Sequence, residues 1–213
     1  MALYVNGKKV VNSLVVDGID TSVGSAIRTE AVSYPSYIPI RYNSAYVPID
    51  YNKDWTIKVR VKIYSFSGNC AILGTAKSGS YYANPSAELA STRGSIWWSI
   101  SQDGSSWSYS QNFGFSETFA LNTWYDIKFQ FTKATNKQYC EIKKVSDGTI
   151  IGSKTTTISG TIYQPTQSTY PESFGNVAYA SNFTKLDNQS YDFANSYIEN
   201  DGVILWGHKS ISE

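Results

Sequence analysis

The chain is poor in the residues that do chemistry by themselves. Among 213 residues there are two cysteines, one histidine and one methionine. Cys70 and Cys140 are too few for the disulfide framework of a small secreted scaffold. They read either as a pair of small buried hydrophobes or as a single bridge. With His208 the only histidine, the ligands for a zinc-type centre are missing, so no metal site is expected. A Ser-His-Asp site would also have to use His208, near the chain end and without a nucleophile-elbow motif; a solvated terminal residue is the simpler reading. No P-loop or dinucleotide fingerprint occurs, and no cofactor is expected.

Charge of one sign is lacking too. The formal net charge is +1, which gives no reason to expect nucleic acid or an anionic membrane as partner. No apolar run approaches the length of a membrane span, so no membrane insertion is expected. The opening MALYVNGKKVVNSLVV is interrupted by Asn and Lys and does not read as an export signal. Synthesis in a cytoplasm is the expectation. Helical periodicity is nearly absent: no long stretch repeats apolar residues at three and four.

What the chain does have is aromatic residues, 15% of the total with 17 tyrosines, and strict alternation. In Trp55-Thr-Ile-Lys-Val-Arg-Val-Lys-Ile63, Trp55, Ile57, Val59, Val61 and Ile63 face one way. Thr56, Lys58, Arg60 and Lys62 face the other, predicting a strand with one buried and one wet face. Ser95-Ile-Trp-Trp-Ser-Ile100 places Ile96, Trp98 and Ile100 together and leaves Trp97 opposite. Trp124–Phe131 buries Tyr125, Ile127, Phe129 and Phe131; Tyr139–Val145 puts Cys140 and Ile142 on one side. Asp103-Gly104, Asp147-Gly148 and Asp201-Gly202 punctuate these runs as turns. Short strands at this spacing predict a sandwich or a barrel.

The first residues differ. Val5-Asn-Gly-Lys-Lys-Val10 predicts a small hairpin on Asn6-Gly7, and Asp17–Ser25 reads as linker. From Ser33 to Asp54, prolines at 35, 39 and 48 among tyrosines predict extended, edge-like chain. The expected organisation is an amino-terminal arm over 1–28 and one domain over 29–213.

Four pieces carry a resemblance: Ala45-Tyr-Val-Pro-Ile before Asp54-Trp-Thr-Ile-Lys-Val; Asn122-Thr-Trp-Tyr-Asp-Ile-Lys-Phe; the Tyr139 strand with its Asp147-Gly148 hairpin; and the closing YDFANSYIENDGVILW. In this order they resemble the laminin-G-like branch of the concanavalin A-like lectin/glucanase superfamily, of the kind found in tailed-phage virion proteins. The resemblance covers roughly residues 30–213. It implies an all-β, antiparallel jelly-roll β-sandwich of concanavalin A-like type, here with a short amino-terminal arm. It implies less about function, because this fold hosts many roles.

The glucanases of that superfamily carry E-x-D-x-x-E on one strand, where paired carboxylates share a face. The nearest match here is Glu199-Asn-Asp201-Gly-Val-Ile204, in which Ile204 replaces the second glutamate and Asp201 falls in a predicted turn. No catalytic residue is therefore assigned and no enzyme is expected. Laminin-G-like domains often hold calcium, but Asp103, Asp147 and Asp201 are each accounted for by a turn. Glycan binding is the more productive expectation, because sugars stack on exposed rings while polar neighbours take the hydroxyls. Trp97, Trp107, Tyr109, Tyr81 and Tyr82 are the candidate rings; the competing reading is that they cover a sheet or an interface.

These readings lead to an expected non-enzymatic virion protein: a head fibre, decoration protein or tail-associated adhesin, made in the host cytoplasm. Its lectin-like domain would meet cell-surface glycans. The arm would anchor it to a capsid or tail protein and to sister subunits as a homotrimer, through Leu3, Tyr4, Val10, Val11, Leu14, Val15 and Val16. The alternative is a secreted bacterial carbohydrate-binding module.

Overall fold

The structure, a computed structural model, describes residues 49–65, 68–75, 86–106, 108–164, 172–174 and 189–209, and the backbone of short strands between residues 3 and 46. The leading strands are β1 (Leu3–Val5), β2 (Lys8–Val10), β3 (Val15–Val16), β4 (Ile19–Asp20), β5 (Ile27–Thr29), β6 (Ile38–Pro39), β7 (Arg41–Tyr42) and β8 (Ala45–Tyr46). Then come β9 (Trp55–Ile63), β10 (Cys70–Thr75), β11 (Ser86–Leu89), β12 (Ser95–Ile100), β13 (Tyr109–Gly114), β14 (Trp124–Thr132), β15 (Lys137–Lys144) and β16 (Ile150–Thr157). The last four are β17 (Glu172–Phe174), β18 (Gln189–Tyr191), β19 (Tyr197–Asn200) and β20 (Val203–Gly207).

Two antiparallel sheets face each other. One runs β13-β12-β11-β10-β17-β6, the other β16-β15-β14-β9-β18-β5 with the β19–β20 hairpin attached to β9. The chain deals strands alternately to the two sheets: β5 and β6, β9 and β10, then β17 and β18. That winding is a jelly roll, and the expected all-β sandwich is what the chain forms. The alternation read from sequence sets the core. Trp55, Ile57, Val59, Val61 and Ile63 of β9 are all buried, as are Tyr125, Ile127, Phe129 and Phe131 of β14, and Ile96, Trp98 and Ile100 face them from β12. Each such side chain contributes about 1.5–3 kcal/mol by leaving water. Cys70 and Cys140 are buried on opposite sheets and form no disulfide. Pro39 lies in β6, the end strand of its sheet among the described residues, where proline is tolerated.

The carboxyl-terminal segment completes the larger sheet. One edge of β9 belongs to β14; the other is shared, with β18 against residues 61–63 and β19 against residues 55–58. Between them the chain steps outward over residues 192–196 through a short 3-10 turn. Asp192 N–H donates to the Arg60 carbonyl (2.9 Å), and the Ser196 hydroxyl accepts from Arg60 N–H (2.9 Å). The β19–β20 turn is Asp201-Gly202 with φ of 51° and 78°, both positive as a type I′ hairpin requires. Ile198 and Trp206 are sealed inside, while Val203 remains exposed.

Two sequence readings need correction. Residues 17–25 are not simply linker: β4 pairs with β3 as a second small hairpin. Lys58 does not sit on a wet face; it is 4% exposed. Its Cα partner across the shared edge is Tyr197, whose ring centroid lies 6.0 Å from the ammonium. Asp126 of β14 reaches it at 3.2 Å. The strand alternation is right, but a second layer of side chains closes over its outer row.

One core position carries a cost. Gln138 on β15 is fully buried beside Phe131 and Thr156 in the ladder, and among the described residues neither of its amide atoms has a hydrogen-bond partner. Desolvating such groups unpaired costs about 1–3 kcal/mol. Gln138→Met, of similar volume, is therefore expected to raise stability by about 1–2 kcal/mol in urea denaturation. An unchanged or lower midpoint would show that the amide is engaged by internal water.

Candidate functional site

The outer face of the smaller sheet is built by β11, β12 and β13. Pairing aligns Ala71, Glu88, Trp97 and Asn112 across four strands. Ser86, Ser99 and Ser110 form the next row on the same face, and Ser95 and Gly114 flank the other side. Adjacent strands lie about 4.8 Å apart, so the row from Ala71 to Asn112 spans roughly 14 Å. The alternation of β12 that buries Ile96 and Trp98 turns Trp97 outward, where it is 40% exposed.

Glu88 is the ionisable member. Like Ala71, Ser86 and Ser99 on this side it is buried, at 7% exposed, and among the described residues its Oε2 has no hydrogen-bond partner. Burial pushes its carboxyl up to about 7. Asn112, on the other flank of Trp97, is exposed. The row thus combines an apolar ring, an unsatisfied carboxyl oxygen and an amide within neighbouring side-chain distances.

Aromatic residues facing outward from the larger sheet are differently placed. Lys62 Nζ lies 4.8 Å from the Trp124 ring centroid and 5.2 Å from that of Tyr64. Lys128 Nζ lies 5.7 Å from Tyr139, whose hydroxyl donates to Glu141 at 2.7 Å. These contacts tie the rings into cation–π pairs of the kind that stabilise a sheet surface.

The five rings predicted from sequence do not form one group. Trp97 is outward. Tyr109 pairs with Ile100 and so faces the interior side, where its ring packs against the core. Its hydroxyl is held by Ser159, accepting from the backbone N–H at 2.7 Å and lying 2.6 Å from Oγ. Trp97 and Tyr109 therefore point to opposite faces of the same sheet. Tyr81, Tyr82 and Trp107 lie outside the described residues. Glu88 and Asn112 were missed. Alternation in Ser86-Ala-Glu-Leu89 assigns Glu88 to the outer side, but only strand register brings it beside Trp97.

Of the anchoring residues, Leu3 and Val10 are Cα partners in the β1–β2 hairpin and Tyr4 lies opposite Lys9. Val15 and Val16 form β3, whereas Val11 and Leu14 lie outside the described residues. The acidic pair Glu199 and Asp201 does not converge on one strand face. Glu199 is ion-paired to Lys209 and faces Ile204 across the hairpin; Asp201 sits at the turn and pairs with Lys53 at 3.0 Å. Asp103 and Asp147 cap their turns, accepting from the backbone N–H of Ser105 and Ser106 and of Thr149. No group of three or more potential metal ligands occurs among the described residues. His208 is exposed.

The chain matches no protein-family model and no curated protein sequence. Solved structures with a similar backbone include a galectin, LEC-6, of Caenorhabditis elegans, at 9% identity and TM-score 0.40, covering 78% of this chain and 94% of that one. A heptameric SAP-like pentraxin of Limulus polyphemus is similar at 11% identity and TM-score 0.45, over 80% of this chain and 72% of that one. An endo-β-1,4-glucuronan lyase of the fungus Trichoderma reesei is similar at 8% identity and TM-score 0.48, over 87% and 85%. Likeness at this level carries no residue's role across.

Proposed function

We propose that this protein binds glycans on the outer face of its smaller sheet. The observation that carries the reading is the row itself: an exposed Trp97 set between the exposed Asn112 and Glu88, whose Oε2 lacks a partner among the described residues. A sugar ring laid on the indole would offer hydroxyls to the exposed Asn112 on one flank and lie close to the buried Glu88 carboxyl on the other. Covering about 100 Å² of apolar surface at roughly 25 cal/mol per Å² makes Trp97 worth one to two orders of magnitude in affinity. Trp97→Ala is expected to weaken binding to an oligosaccharide panel by about 10–100-fold in titration calorimetry. Tyr109→Phe, which alters the opposite face, is expected to lower stability by about 1 kcal/mol and leave affinity unchanged. Equal affinity in wild type and Trp97→Ala would remove this face from consideration.

The wider role we propose is display of this face, without catalysis, on a tailed-phage virion. Its support is the family resemblance of the closing segment, together with the arm expected over residues 1–28, whose last two residues, Ile27 and Arg28, join the larger sheet in β5. Within the arm, β1–β2 and β3–β4 pair only with each other among the described residues. Strands so short need a further surface to be stable, and sister subunits in a homotrimer together with a capsid or tail protein would supply it. Deleting residues 1–20 should leave a folded sandwich that no longer assembles, read by light scattering and virion incorporation. A full-length chain that is monomeric would favour the secreted-module reading.

A further inference from the structure

We infer that the glycan taken by this face is uncharged, and that Glu88 is the residue that turns acidic sugars away. The inference rests on the glycan-binding reading above and adds to it the class of ligand.

The register fixes which charges these strands themselves place on the face; at its β13 edge the Lys154 ammonium of β16 donates to the Asn112 carbonyl at 3.4 Å. Across β11, β12 and β13 the outward positions are Ser86, Glu88, Ser95, Trp97, Ser99, Ser110, Asn112 and Gly114. Glu88 is the one ionisable residue among these positions. It lies directly opposite Trp97 in the ladder, where neighbouring Cβ atoms are about 5 Å apart. A sugar ring stacked on the indole therefore lies within roughly 6 Å of the carboxyl. A uronate, sialate or sulfate on that ring would set two negative charges at this separation. At an effective dielectric of ~20, like charges there would disfavour binding by about 100-fold, but Glu88 can take up a proton instead, and with its carboxyl pushed up to about 7 that limits the loss at pH 8 to about tenfold.

A neutral hydroxyl meets no such penalty, because it sets no second charge beside the buried carboxyl. The same side chain thus tolerates a polyol and repels an acid. Because Glu88 is 7% exposed, its charge is poorly screened by salt, so the discrimination should persist at moderate ionic strength.

The test uses the full chain at pH 8, above the point near 7 at which Glu88 loses its proton. Matched probes are cello-oligosaccharides against oligoglucuronates, and N-acetyllactosamine against its sialylated form, titrated into wild type, Trp97→Ala and Glu88→Gln. The wild type is expected to prefer the neutral member of a pair by about tenfold. Glu88→Gln, which keeps shape and a polar group but not the charge, is expected to bring the ratio to within about threefold, mainly by improving the acidic member. Acidic probes bound as tightly as neutral ones in a Trp97-dependent way would overturn this inference and leave the binding face intact. The same holds if the preference is unaltered in a Glu88→Gln variant whose melting confirms folding. If no neutral or acidic probe shows Trp97-dependent binding, the glycan-binding reading falls and this inference with it.

Discussion

Asp126→Ala is expected to destabilise the protein by about 3–5 kcal/mol. Asp126 lies 6% exposed on β14 and two cations converge on it. Arg60 grips it through Nε at 2.6 Å and Nη2 at 2.9 Å, and Lys58 reaches it at 3.2 Å. Asp192 stands 4.0 Å from Arg60 and offsets the second positive charge. Removing the carboxylate leaves two cations crowded on one side of a closed layer. Their mutual repulsion then adds to the lost bidentate hydrogen bonds. The loss should appear as a lower guanidinium midpoint and should change little between 0.05 and 0.5 M salt, because the pair is shielded from solvent. A loss below about 1 kcal/mol would show that Lys58 and Arg60 are held adequately by their other neighbours.

The second large effect is expected at Gly207. Its φ is +78°, and a Cβ built there would lie 2.0 Å from the Ser196 carbonyl oxygen and 2.8 Å from the Tyr197 Cα. Both obstacles are backbone, held by the Tyr197–Gly207 pairing and the His208 N–H to Ser196 carbonyl bond at 2.9 Å. No rotamer change relieves the clash. Gly207→Ala should therefore detach the end of β20 and draw Trp206 out of the core, at a cost of about 2–4 kcal/mol. Hydrogen exchange would show amides of residues 197–207 opening first. Gly202 is the control: its φ is also +78° but a Cβ added there would meet nothing within 4 Å, so alanine there should cost only about 1 kcal/mol. Equal effects at the two glycines would mean that positive φ, and not the close approach, sets the requirement at Gly207.

Much of the fold was legible because strand alternation is a local property. β9, β12, β14 and β15 each carry enough consecutive in-out residues to declare both their type and their buried face. The Asp-Gly turns are equally local, since a positive φ is required within the dipeptide itself. What could not be read was anything that depends on which strand lies next to which. Lys58 looks solvated until Asp126 and Tyr197 are known to be its neighbours. Glu88 looks like an ordinary surface acid until register puts it against Trp97. Tyr109 looks like a binding ring in a serine-rich run, yet its pairing with Ile100 turns it toward Ser159. Non-local register decided the site in each case, and one sequence holds no record of it.

The shared edge of β9 also has a meaning in time. Arg60 and Ser196, which lock the outward step between β18 and β19, are 136 residues apart. Until residues 189–200 have left the ribosome, a nine-residue strand of alternating apolar residues has an open edge. Pairings this distant in sequence make for slow folding, on the millisecond-to-second scale. At roughly 5–20 residues per second of synthesis, β9 waits several seconds for its partner. Its own outward row, Lys58, Arg60 and Lys62, then has a second use as a gatekeeper, keeping nascent copies from pairing edge to edge before the carboxyl-terminal strands arrive.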